Sequence, residues 1–198
     1  MTERSENVTW HAHGVTRERR AGAALAAAGA TVWITGLPAS GKSTVAASLE
    51  RALLERGRAA YLLDGDNLRH GLNGNLGFSA EDREENVRRT AEVARLMADS
   101  GLVAIASLVS PYAAGRARAR DMHERDGLRF VEVYVNTPLE ECERRDPKGL
   151  YARARSGELP GFTGIDDPYE PPERPDLELG ADEQPERATA ALLALLDL

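Results

Sequence analysis

The chain has 198 residues, 42% of them hydrophobic, with 25 Lys plus Arg against 32 Asp plus Glu and one cysteine. That length suits one sizeable core rather than two independent domains, and a net charge of −7 gives no general support for nucleic-acid binding. A lone Cys142 excludes an internal disulfide and a cysteine-based zinc cluster, and no stretch approaches the roughly 20 apolar residues of a membrane helix.

The N-terminus, MTERSENVTWHAHG, is polar and mixed in charge, unlike a secretory signal, so the expected location is the cytoplasm. The first apolar run, 31 to 35 (TVWIT), leads directly into GLPASGKST at 36 to 44 and then a helical pattern over 42 to 56. This fits G-x-x-x-x-G-K-[ST] in its strand-then-helix context: the glycines let successive N–H groups face an anion, Lys42 reaches the β and γ phosphates, and Ser43 is placed to ligand Mg²⁺. The chain has two lysines among 23 arginines, in GKS and PKG. The N-K-x-D element expected of a GTPase is therefore absent, and phosphoryl transfer to a small acceptor is left.

The second run, 60 to 64 (AYLLD), ends in LLDGDNLRHGL. It puts Asp64 and Asp66 at the carboxyl edge of a sheet, where open α/β folds bind ligands. Either carboxylate there can hold water on Mg²⁺ or take the proton of an attacking hydroxyl; Asp-Gly also suits a plain tight turn. Next comes a helix over 80 to 99, opened by a Ser79/Asp82 capping box and carrying an inward stripe of Val87, Ala91, Ala94 and Met97. With Arg69, Arg83 and Asn86 the combination suits a phosphate- or sulfate-bearing acceptor.

Runs at 102 to 109, 130 to 135 and 176 to 179 alternate with helical patterns at about 111 to 125, 138 to 146 and 185 to 197. Such alternation of near-continuous apolar strands with helices predicts an α/β fold, a parallel sheet covered on both faces. Arg116, Arg118 and Arg120 read as a solvated helix face, Cys142 as a small core residue, and His11, His13, His70 and His123 as surface histidines without metal spacing. Residues 147 to 175 are rich in Gly and Pro, and with Lys148, Tyr151 and Phe162 inside they read as a lid.

GLPASGKST, LDGDNLRHGLNGNLGFSAEDREENVRRTAEVARL, SLVSPY and DPKGLYARARSGELPGFTGIDDPYEPPE occur in the order of the adenylylsulfate kinases, which the chain resembles from about Asn7 (NVTWH) to near Leu179. The resemblance implies a P-loop kinase fold with five parallel strands and a lid, in one domain with an N-terminal extension over 1–29. It implies ATP and Mg²⁺ as cofactors, adenylylsulfate as substrate, a homodimer, and no nucleic-acid or membrane partner. Pro38 and Ala39 depart from the smaller or more polar residues common in the family's P-loop, and no sulfate adenylyltransferase module is expected in the chain, so any link would be to a separate enzyme.

By motif, the ATP phosphates fall to Gly36 and to Ala39, Ser40, Gly41, Lys42, Ser43 and Thr44. Asp66 becomes the base or positioner beside the acceptor hydroxyl, with Asn67 and Arg69 on the acceptor. Phe78 and Phe162, the latter with Gly161, enclose its adenine. Arg83 and Asn86 bind the phosphosulfate and ribose region, Val109 and Ser110 line the pocket, and Lys148 supplies lid charge. A phosphoserine at Ser110 has been linked to the motif, yet direct in-line transfer needs no covalent step. Another small-molecule P-loop kinase, or a silent nucleotide-binding regulator, stays open as an alternative.

Overall fold

The computed structural model describes residues 29–198, so NVTWH, His11, His13 and nearly all of the expected N-terminal extension lie outside the described residues. Five strands, β1 (Ala30–Thr35), β2 (Ala60–Asp64), β3 (Val103–Ser107), β4 (Arg129–Asn136) and β5 (Leu177–Gly180), form one sheet in the order β2-β3-β1-β4-β5. Every pairing is parallel. All five carboxyl ends therefore lie along one edge.

Seven helices complete the described residues: α1 (Lys42–Glu55), α2 (Gly65–Leu68), α3 (Ala80–Asp99), α4 (Ala113–Arg125), α5 (Leu139–Arg145), α6 (Leu150–Arg155) and α7 (Pro185–Leu195). β1 shows why both faces are covered. Its Ala30, Val32 and Ile34 point to one side and bury against Val45, Leu49 and Leu53 of α1 and Leu192 of α7, whereas Trp33 points to the other and meets Val87 and Ala91 of α3 and Ala119 of α4. Alternate residues of a strand face opposite ways, and on the Trp33 side the neighbouring Thr31 and Thr35 are fully buried with their hydroxyls hydrogen-bonded. Leu49 and Leu53 are fully buried, and each such side chain contributes about 1.5–3 kcal/mol.

The helix signals act as expected. Ser79 Oγ accepts from the Asp82 amide at 3.2 Å and opens α3, and Gly57 follows α1 at φ 71°, a conformation glycine takes without strain. Met97 is half-buried and packs against Leu63, Ala94 and Ala104, and Ala98 beside it is buried as well.

Three sequence expectations change. Residues 147 to 175 contain α6, a helix too short for periodicity to reveal. Arg116 is not solvated: only 3% exposed, it donates from Nε to Glu132 Oε1 at 2.9 Å and from Nη1 to the Ser110 carbonyl at 2.7 Å. His123 is fully buried, with Nε2 2.8 Å from Thr31 Oγ1 and Nδ1 2.7 Å from the Ala119 carbonyl. Burial lowers its pKa below the usual histidine value.

Candidate active site

β1 delivers the chain into a turn that only particular backbone permits. Gly36 sits at φ 153°, and a Cβ there would come 2.7 Å from the Val135 carbonyl and 2.9 Å from Ser40 Oγ. Ala39 at φ 60° and Gly41 at φ 107° complete the curl, and Gly41 is the residue before α1. Lys42 folds its ammonium back onto the Leu37 carbonyl at 2.6 Å. Burial lowers its pKa to about 8, against the pull of Asp66 and Asp64 in the other direction.

Next to this loop, β2 ends at Asp64, whose two oxygens do different things. Oδ1 accepts from the amides of Asp66 and Asn67 at 3.0 and 3.3 Å and starts α2, while Oδ2 accepts from Ser43 Oγ at 2.9 Å. The Ser43 hydroxyl donates to a carboxylate and keeps its lone pairs for a cation. Hard oxygens in this small number suit Mg²⁺, which takes one or two protein ligands and completes its shell with phosphates and water. Among the described residues no group of three or more His, Cys, Asp and Glu is arranged to hold a metal on its own.

A cleft of about 510 Å³ opens over the loop. It is lined by Ala39, Gly41, Lys42, Ser43 and Thr44 from the loop, by Asp64 and Asp66, by Phe78 and Arg83, by Val109, and by Lys148, Gly161 and Phe162 from the α5–β5 connection. Asp66 Oδ2 and Lys148 Nζ form an ion pair across it. Phe78 is 40% exposed, with the Arg69 guanidinium 4.2 Å from its ring centre. Phe162 is buried edge-on against Tyr151, ring centres 4.9 Å apart. Arg83 spans the two sides: Nε donates to the Phe78 carbonyl at 2.9 Å, and its Nη atoms bond Thr163 Oγ1 and the Gly161 carbonyl.

Other expected site residues stand behind the cleft wall. Arg69 donates from Nη1 to the Leu76 and Gly77 carbonyls at 3.1 and 2.8 Å, and Asn86 Oδ1 accepts from Asn73 at 2.7 Å. Gly36, Ser40 and Asn67 are likewise not part of the lining. Ser110 departs furthest from expectation. It is 3% exposed, and its hydroxyl lies between Trp33 Nε1 and Thr35 Oγ1, so the side chain faces the core. Ser110 is accordingly not part of the cleft lining.

Sequence reasoning missed Arg145, Asp146 and Pro147, which also line the cleft. Arg145 Nη1 reaches the Ser40 carbonyl at 3.3 Å and Nη2 the Ala181 carbonyl at 2.9 Å. Its place directly before the PKG lysine segment was the available signal. The Tyr151 hydroxyl donates to the Pro38 carbonyl at 3.0 Å, and Leu37 and Ala39 pack against Tyr151 and Phe162, so the P-loop and the α5–β5 connection share a small apolar core.

The sequence model described as adenylylsulphate kinase matches residues 28–180. An adenylyl-sulfate kinase of Klebsiella pneumoniae is 54% identical over 197 residues, 99% of this chain and 96% of the relative. One of Saccharomyces cerevisiae is 50% identical over 187 residues, 94% of this chain and 92% of the relative. Among solved structures, the Mycobacterium tuberculosis APS kinase in complex with AMPPNP and APS is similar at a TM-score of 0.84 and 54% identity, covering 87% of this chain and 99% of that one.

Proposed function

The chain belongs to the adenylylsulfate kinase family, and we propose that its cleft transfers the γ-phosphate of ATP to the 3′-hydroxyl of adenosine 5′-phosphosulfate, with Asp66 as the group that receives the proton. The products are ADP and 3′-phosphoadenylylsulfate. The observation that carries the assignment of roles is the convergence on one cleft of the P-loop, the Asp66 carboxylate and two phenylalanines.

In this reading the acceptor oxygen bonds to the γ phosphorus, its proton passes to Asp66, and the bond from the γ phosphorus to the bridging oxygen of ADP breaks. Transfer of this kind asks the protein for positioning and charge stabilisation more than for covalent chemistry. Lys42 and the loop amides hold the β and γ phosphates. Ser43 holds Mg²⁺, which when bound neutralises phosphate charge, and Asp64 orients the Ser43 hydroxyl. Lys148 comes from the lid, residues 147–175; its ammonium pairs with Asp66 and adds positive charge over the acceptor. Phe78 and Phe162 take the purine between them, since stacked aromatic faces recognise a flat base at little entropic cost. Arg83 stands at the same slot to meet the phosphosulfate.

Adenylylsulfate itself must be made by an enzyme that adenylylates sulfate, and we infer that this chain works downstream of such an activity. We place the reaction in the cytoplasm, where ATP is supplied; the lone cysteine suits that compartment. Among the described residues no helix is long and apolar enough to cross a membrane. A homodimer is carried over from the family resemblance, and light scattering of the purified chain tests it.

The deciding experiment is ADP release with MgATP and adenylylsulfate, run beside AMP, CMP and gluconate, with mass spectrometry of the product. A product one phosphate heavier than adenylylsulfate, formed in preference to the others, is expected. Preferred turnover of a different acceptor would discard the substrate assignment.

A further inference from the structure

One exposed carboxylate organises the tip of the lid. Asp166 Oδ2 accepts from the Gly161 amide at 2.7 Å and Oδ1 from the Phe162 amide at 2.6 Å. The Phe162 carbonyl in turn accepts from the amides of Ile165, Asp166 and Asp167 at 3.0, 3.3 and 3.2 Å. Both backbone groups of Phe162 are therefore held, which sets where its Cα–Cβ bond points, and packing against Tyr151 holds the ring. Asp166 is exposed; its carboxylate acts through these two bonds and through its charge beside Arg83.

The opposite wall uses the same device. Asp82 Oδ2 accepts from the Gly77 amide at 3.0 Å, directly before Phe78. Arg83 then ties the two walls together through the Phe78 and Gly161 carbonyls. A loop with Gly161 at φ 68° and Gly164 at φ 93° has much freedom to lose, and ordering it at the moment of binding would weaken affinity. Charge-assisted bonds to consecutive amides supply that order in advance.

We propose that Asp166 is a positioning residue for acceptor recognition: by holding the Gly161 and Phe162 amides it presets the Phe162 ring, so that the purine of adenylylsulfate enters a slot already formed. Asp166 touches no reacting atom. The inference rests on the reading of Phe162 as a purine wall.

The test is steady-state kinetics on the full chain for Asp166→Ala, Asp166→Asn, Phe162→Ala and the Asp166→Ala/Phe162→Ala double variant. Asp166→Ala is expected to raise KM for adenylylsulfate about tenfold while KM for ATP and kcat change by less than about twofold. Asp166→Asn should raise it less, because one amide keeps its acceptor. Once the ring is gone Asp166 has nothing to aim, so the double variant should be no worse than Phe162→Ala. An unchanged KM in Asp166→Ala beside a raised one in Phe162→Ala overturns the inference, as do effects that simply multiply in the double variant. If Phe162→Ala itself leaves KM unchanged, the purine-wall reading fails and the inference falls with it.

Discussion

The indole Nε1 of Trp33 donates to Ser110 Oγ at 3.1 Å, joining the middle of the central strand to the turn after β3. Ser110 holds φ 39° to reach this place, and its hydroxyl continues the chain to Thr35 at 3.0 Å. Thr35 Oγ1 then lies 3.0 Å from the Tyr169 hydroxyl at the far end of the lid. Ser110 is thus part of the frame behind the acceptor pocket.

Ser110→Ala separates that structural role from a chemical one. Alanine carries the same backbone strain, so the comparison isolates the hydroxyl, and a buried N–H left without its acceptor costs about 1–2 kcal/mol. Urea unfolding should show that loss, with kcat within about threefold of the parent. A folded variant without turnover would contradict this placement.

The Arg116–Glu132 pair makes a second prediction. Both side chains are largely buried, at 3% and 12% exposure, and Arg116 also holds the Ser110 and Glu170 carbonyls. Glu132→Ala leaves a guanidinium buried beside fewer anions, a change that costs about 3 kcal/mol. Denaturant unfolding should show a lowered midpoint with an unchanged slope. A midpoint within error of the parent would mean that the surroundings relax enough to solvate Arg116.

ATP affinity should depend on pH through Lys42. Its pKa in the free chain is lowered to about 8 by burial, and triphosphate binds the protonated form. Below that pH the ammonium is already present and affinity is flat. Above it, binding takes up a proton, and Kd rises about tenfold per pH unit. Titrations from pH 7 to 9.5 check this, and a flat profile across the range would contradict it.

What the sequence made legible follows the range of the forces involved. The P-loop, the Ser79 cap and the five strands are written in residues close together in the chain. Arg116 and His123 were misjudged because their partners lie elsewhere: Glu132 and Glu170 sit on other elements, and Thr31 meets His123 across 92 residues. A charged or polar residue on a helix reads as solvated until its distant counter-group is known. Ser110 was misplaced for a related reason, since a motif fixes a residue's position along the chain but not the side to which its hydroxyl turns. Helix α6 escaped because six residues carry less than two turns of periodicity.

Asp66 carries the central claim, and the direct measurement is the activity of Asp66→Asn with MgATP and saturating adenylylsulfate, alongside its ATP affinity. Asparagine keeps the shape but cannot take the acceptor's proton, so kcat should fall by about 10²- to 10⁴-fold while ATP binds as in the parent. An Asp66→Asn enzyme with unchanged kcat would contradict the account.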